Sequence, residues 1–267
     1  MYYFDLYIEF IKIRIQSISE YRGSFLSGIL AQFLSYGADI TLIWIMVNQF
    51  QTISGWGPFE VMFLYSLNLI SYSISAFFLF NPCQELSRMI RNGEFDEVLI
   101  RPINSLLYLL TRSFNPAYVS HVSLSIITII ICFMNLNINL DQVDFLFLLI
   151  IIISGAMIQG SVFLITTIPV FWIIDGNNIM GLFYYNLKEF IRYPLSIYNK
   201  FIQVLLTVII PYGFISFYPA QLILKKNDFL MFSSIIKYLS PVVGFILVLI
   251  AVYFWNIAVM HYESTGS

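Results

Sequence analysis

Few residues of this chain have the chemistry to act on a ligand or a partner, and seven of the charged ones lie together. Within the 24 residues 81–104, NPCQELSRMIRNGEFDEVLIRPIN, stand Glu85, Arg88, Arg91, Glu94, Asp96, Glu97 and Arg101. Acids and bases are mixed there at short spacings, which suits ion pairing with another surface better than bond-making. Elsewhere Asp39 and His121 stand alone in apolar surroundings, and Cys83 and Cys132 are the only cysteines. No Ser-His-Asp order, paired-carboxylate site or metal-ligand spacing emerges, so neither a catalytic residue nor a metal site is expected. There is no G-x-x-x-x-G-K-[ST] phosphate loop, and no glycine is followed by lysine anywhere.

The elements that must position these residues are membrane spans. Hydrophobic residues make up 59% of the chain and charged residues 10%, with mean hydropathy +0.83, where soluble domains carry about 25% charge. Charge-poor stretches place six spans, at 24–48, 59–80, 105–135, 145–172, 198–218 and 239–259. The fold class is therefore an all-α integral membrane protein of 267 residues, too short to add a soluble catalytic domain. The net charge of -2 gives no reason to expect nucleic acid. Residues 1–22 are interrupted by Asp5, Glu9, Lys12, Arg14 and Glu20, so no cleavable leader is expected. Pro211 and Gly213 are expected to kink the fifth span.

With the N-terminus inside, ten lysines and arginines (Lys12, Arg14, Arg22, Arg88, Arg91, Arg101, Arg112, Lys188, Arg192, Lys200) fall on the cytoplasmic side. Only Lys225, Lys226 and Lys237 fall outside. That asymmetry orients both termini to the cytoplasm, in a membrane such as the bacterial plasma membrane. Cys83 and Cys132 then lie at opposite faces of the bilayer, too far apart to bond, and read as small buried residues.

Two organised regions are expected: an amphipathic membrane-interface helix over 1–22 and a transmembrane domain over 23–267. In the first, Asp5, Glu9, Lys12, Gln16 and Ser19 form a polar stripe, and Ile8, Ile11, Ile15 and Ile18 an apolar one. In the charged island, Asn81 is placed to cap a helix, Pro82 to begin it, Gln84 to close a capping box and Asn92-Gly93 to stop it. That predicts a separate helix over 82–91 with Glu85, Arg88 and Arg91 on one face. Tyr184, Tyr185, Tyr193 and Tyr198, around Lys188, Glu189 and Arg192, read as an interfacial aromatic belt on the cytoplasmic side. Residues 175–178, DGNN, read as a turn.

Asp39 has two readings: a residue of a translocation path or dimer interface, or a structural acid, protonated or hydrogen-bonded to a Tyr, Ser or Asn of span two. His121 reads as a satisfied interior histidine, with a proton relay as the other possibility.

Three ordered stretches carry a resemblance. The run 90–102, IRNGEFDEVLIRP, resembles the I-x-x-G-x-[LF]-D-x-x-L-x-[RK]-P signature of ABC-2-type transporter permeases. The region from Tyr193-Pro194 through Ile210-Pro211 to Tyr218-Pro219-Ala220 is similar to the YP…IIP…YPA region of the same branch. Residues 255–266, WNIAVMHYESTG, are similar to its C-terminal ending, although Asn256-Ile257-Ala258 lacks the usual glycine. The resemblance implies the permease subunit of an ATP-driven exporter, in which two permeases, identical or sister subunits, assemble with two cytoplasmic ATPase subunits. It implies a coupling helix between spans two and three, with Glu85, Arg88, Arg91, Gly93, Glu94, Asp96, Arg101 and Pro102 as the ATPase-coupling residues. It further implies a re-entrant external hairpin over 218–237, and no cofactor in this chain, since ATP and Mg would be bound by the partner ATPase.

Two other classes remain open from the residues alone. A self-contained secondary transporter or channel needs coupling groups in the membrane, and only Asp39 and His121 offer themselves. A lipid-directed membrane enzyme needs clustered acids or histidines at one face, where the acids here are dispersed. The substrate is not legible.

Overall fold

The computed structural model describes residues 2–20, 22–139, 141–173 and 180–264, and among them the chain is 81% helical with no strand. Helix α1 spans Tyr2–Glu20 and α2 Arg22–Phe50. Helix α3 is Pro58–Arg91, 34 residues in one piece. Two short helices follow, α4 (Phe95–Leu99) and α5 (Ser105–Arg112). Helix α6 (Val119–Leu136) grows from a 3-10 turn at Pro116–Tyr118, and α7 is Gln142–Thr167. Residues 181–192 wind irregularly, π-helical over Gly181–Asn186, α-helical over Leu187–Glu189 and 3-10 over Phe190–Arg192. Then come α8 (Lys200–Val204), α9 (Phe217–Ile223) and α10 (Ser240–Met260).

Five helical stretches are long and apolar enough to cross a membrane: Phe25–Met46, Pro58–Arg91, Pro116–Leu136, Gln142–Phe171 and Ser240–Met260. A sixth candidate is the pair Lys200–Ile209 and Tyr212–Ile223, bent by 76°. The bend falls where Pro211 has no N–H to donate, as the sequence predicts. Helices α3 and α7 form the centre of the bundle, α6 packs on α3 and α10 on α7, and α2 lies along α3 and α6. Small residues set the closest approach: a Cβ on Gly155 of α7 would stand 2.4 Å from the Ser71 hydroxyl of α3.

One end of the bundle carries Trp56 and the other Gly93. At the Trp56 end the indole donates to Asp228 at 2.9 Å, and Lys226 pairs with Glu60 at 2.6 Å. These bonds tie the loop before α3 to the stretch after α9, which folds back onto the 3-10 turn Ser234–Tyr238.

Three sequence expectations are corrected. Asn81-Pro82 does not start a helix, because α3 runs straight through it and Pro82 is buried inside. A proline there removes one backbone donor and its ring crowds the preceding turn. The Phe77 carbonyl, next to the Phe78 carbonyl that Pro82 leaves without its helical donor, accepts from the Asn115 N–H at 2.8 Å, and Asn115 Nδ2 donates to the Asn81 side chain at 3.3 Å. The expected third span, 105–135, is broken at residues 113–115, so α5 stands apart from the span that begins at Pro116.

The aromatic belt is also overturned. Tyr184 is fully buried and donates to Gln159, Tyr185 accepts from Gln84, and the Lys188 ammonium lies over the Tyr72 ring. Arg192 reaches Asp39 near Tyr65. From Tyr185 to Arg192 the partners on α3 therefore run from Gln84 back to Tyr65, about 28 Å at 1.5 Å per residue. Residues 181–192 thread through the bundle antiparallel to α3, and Lys188 and Arg192 are not in a loop at its surface. On α1, Ile11 and Ile15 are exposed, and Phe10 docks edge-on against Tyr108 of α5. The turn expected at 175–178 lies outside the described residues.

Candidate functional site

At the Gly93 end, α3 stops as its last residues predict. The Asn92 N–H returns to the Arg88 carbonyl and the Gly93 N–H to Ile90, with Gly93 at φ +70°. That left-handed conformation costs an L-residue about 1 kcal/mol or more, which glycine avoids. The reversal delivers Phe95 into the bundle. Its ring is fully buried, 5.1 Å from Tyr262, 5.3 Å from Phe171 and 6.4 Å from Trp255. Val98, one turn on, is buried too. Trp255 Nε1 donates to Ser105 at 3.2 Å, and the Ser264 hydroxyl donates to Asp96. Two of the sequence motifs, 90–102 and 255–264, are thus one folded unit; Gly266 lies outside the described residues.

The aromatic anchor leaves charge on the outside. Arg88 pairs with Glu94 at 3.0 Å, and Asn92 donates to the same carboxylate oxygen at 3.0 Å. Arg101 pairs with Glu97 at 2.8 Å while lying 4.9 Å over the Tyr108 ring. The Arg101 hydrogen bond, and then the Arg112 charge, hold the Glu97 carboxyl below its ordinary range. Arg91 and Pro102 are exposed, and Ile100 stands out at 81% exposure. Of the expected single face, only Arg91 points free of the fold: Arg88 is folded onto Glu94 and Glu85 is half-buried. The surface this end offers is consequently Arg91, Glu97, Ile100 and Pro102, a mixed patch of charge with one apolar knob.

The second cluster lies inside the bundle. Asp39 Oδ2 accepts from Tyr65 and from Arg192, both at 3.3 Å, and Arg192 Nε also pairs with Glu189. The tyrosine of span two that the structural reading of Asp39 requires is therefore present, accompanied by an arginine that sequence reasoning assigned elsewhere. Below this triad, Gln159 bridges Asn68 at 2.6 Å and Tyr184 at 3.1 Å. A cavity of about 250 Å³ opens between α2, α3 and residues 188–192. His121 borders the cluster: its ring lies 4.1 Å from Tyr36 and 5.0 Å from Tyr118, and Nδ1 meets Ser120 at 3.5 Å. The buried Nε2 has no hydrogen-bond partner among the described residues, so the histidine is not fully satisfied.

Sequence reasoning missed Lys188, Glu189, Arg192 and Tyr65 as members of this cluster. One signal was present: a lone acid in a span requires a buried partner, and Lys188-x-x-x-Arg192 is a basic pair at helical spacing late in the chain. Cys83 and Cys132 are both buried and free. No group of three or more His, Cys, Asp or Glu suited to a metal occurs among the described residues.

Comparison with known proteins adds one match. A family model described as ABC-2 family transporter protein matches residues 33–266, which takes in both clusters and all the helices from the middle of α2 onward. A search of curated proteins and a search of solved structures each found no match.

Proposed function

The chain belongs to the ABC-2 family of transporter proteins, a membrane component of an ABC transport system, and from that premise we propose that it is the permease of an exporter. Two permeases, identical or sister subunits, form the path across a bacterial plasma membrane. Two ATPase subunits bind ATP and Mg on the cytoplasmic side and drive the cycle.

The observation that carries this reading is the build of the Gly93 end. A short helix is nailed down by Phe95 and Val98 and presents Arg91, Glu97, Ile100 and Pro102 outward. A rigid, aromatic-anchored knob with a charged rim is what a surface needs in order to receive force from a partner, since a solvated loop would yield. Glu85, Arg88, Glu94, Asp96 and Arg101 act here mainly by holding the shape of that knob, and Gly93 by setting its direction. The lysine and arginine count supports a cytoplasmic Gly93 end even with Lys188 and Arg192 withdrawn into the bundle and Lys200, which follows them in the chain, left out. Lys12, Arg14, Arg22, Arg88, Arg91, Arg101 and Arg112 oppose Lys225, Lys226 and Lys237.

The test is co-expression with a candidate ABC ATPase subunit. Arg91→Glu with Ile100→Asp should leave the permease in the membrane and reduce ATPase co-purification at least tenfold. Co-purification and ATP hydrolysis at wild-type levels would reject the knob as the docking surface. A cysteine at Asn92 should label only after permeabilisation, and one at Gly55 from outside; the reverse pattern would reject the orientation.

A further inference from the structure

The cavity beside Asp39 holds four charged groups whose arrangement is lopsided. Asp39 and Glu189 both bond to one cation, Arg192, so that trio carries one surplus negative charge. Lys188 lines the same cavity but has no hydrogen bond or ion pair among the described residues. Its ammonium meets only aromatic faces, 3.7 Å from the centre of Tyr72, 5.7 Å from Tyr185 and 5.8 Å from Tyr184. An ammonium at membrane depth without an acceptor is costly. The acids are under-used in the complementary way. Among the described residues Asp39 bonds only through Oδ2 and Glu189 only through Oε2, leaving one oxygen of each able to accept.

The lining is therefore neutral in sum and split in sign, with an unmatched cation at one side and unmatched carboxylate oxygens at the other. A simple anion would satisfy Lys188 but offend the acids; a simple cation would do the reverse. The complementary guest carries both charges a few ångströms apart.

We propose that this cavity binds a zwitterionic group, its anionic oxygens on Lys188 and its ammonium between Asp39 and Glu189. The tyrosine faces of Tyr36 and Tyr65 around the acids favour the ammonium further. At about 250 Å³ the space takes a headgroup or a dipeptide and not a whole drug-sized molecule, which needs about 300–1,000 Å³. Tyr65 and Tyr72 stand seven and fourteen residues along α3 from Pro58, so the cavity lies about 10–21 Å below the Trp56 end of that helix. A headgroup at that depth is in transit, and the zwitterion is the cargo. Naming it cargo rests on the permease reading; the binding itself does not.

Purified full-length chain in nanodiscs of phosphatidylglycerol, a lipid without a positive charge, provides the test. Phosphatidylethanolamine doped at rising fractions, or alanyl-alanine added to the buffer, should raise the melting temperature saturably. The rise should reach about 5 °C at a hundredfold excess over half-saturation. A response to phosphatidylethanolamine identifies a lipid-borne zwitterion, and one to the dipeptide a water-borne one. Lys188→Gln should abolish either response. Glu189→Gln, at an exposed position that tolerates the change, removes the surplus negative charge and should raise the half-saturating zwitterion level at least fivefold. No response to either probe, or a response unaltered in Glu189→Gln, overturns the proposal even if Lys188→Gln fails to accumulate. The two readings fail separately. Saturable binding without a co-purifying ATPase would sink the permease reading alone, and a co-purifying ATPase with a site indifferent to both probes would sink this one alone.

Discussion

The charged knob at the Gly93 end and the charged cavity beside Asp39 use the same side chains to different ends. At the knob, Arg88–Glu94 and Arg101–Glu97 lie in the open, with side-chain exposures between 37% and 53%. Such pairs are worth about 0–1 kcal/mol, and what fixes the knob is the buried Phe95 ring beneath them. In the cavity, Arg192–Asp39 has exposures of 30% and 27% and no aromatic plug of its own. There the charges are the structure, and their loss exposes a groove at membrane depth. Ion pairs trim one region and build the other.

The largest expected effect separates anchor from ornament. Phe95→Ala should destabilise the protein by about 3–5 kcal/mol, the usual cost of emptying a buried aromatic site, read as a lowered melting temperature in detergent. Arg88→Gln, in the same knob, should move the melting temperature by less than the error of the measurement, and a loss comparable to Phe95→Ala would invert the comparison. Second, Arg192→Met should cost about 2 kcal/mol, between the figures for an exposed and a buried pair, because it leaves Asp39 with Tyr65 but without a cation. Asp39→Asn should cost far less, since Arg192 keeps Glu189, and adding it to Arg192→Met should recover much of the loss. A cycle with no such recovery would mean that the pair does not couple.

Third, Gly93→Val should cost about 1–2 kcal/mol through its left-handed backbone, and should impair ATPase co-purification more than that stability loss explains. The smallest effect is acid sensitivity at Glu97. Its carboxyl is held below the ordinary carboxylate value, first by the Arg101 hydrogen bond and then by the Arg112 charge. The resulting stability is present above that value and is lost as the pH falls through the lowered pKa. Glu97→Gln should therefore flatten the acid side of the melting curve slightly, and an identical curve would show that the pair contributes nothing.

How much of this was legible in the sequence follows from which signals are local. Apolar runs longer than a bilayer is thick announce spans, and Asn92-Gly93 announces a stop, because each depends on its own few residues. Asn81-Pro82 misled because it carries the same cap chemistry, while the bonds that brace the turn before Pro82 come from Asn115, which only the fold brings near. Arg192 misled in the same way: a basic residue between aromatic ones marks a membrane surface unless an acid awaits it inside, and Asp39 lies 153 positions away. The convergence of Phe95 on Trp255 and Tyr262 was beyond local signals altogether, although both motifs could be read separately.

The continuity of α3 has a mechanical meaning. Its 34 residues make a shaft of about 51 Å, with the knob turning off one end and Tyr65 riding near the other. Arg91 is 26 residues from Tyr65, so a tilt of about 5° at the Gly93 end sweeps the Tyr65 level through roughly 3 Å at 1.5 Å per residue. That stroke equals the reach of the Tyr65–Asp39 contact itself, at 3.3 Å. The shaft has one soft joint, at Pro82, and Asn115 splints it from the side. Whatever pushes on the knob is geared to the latch beside the cavity, and the stiffness of one asparagine splint sets how much of the push arrives.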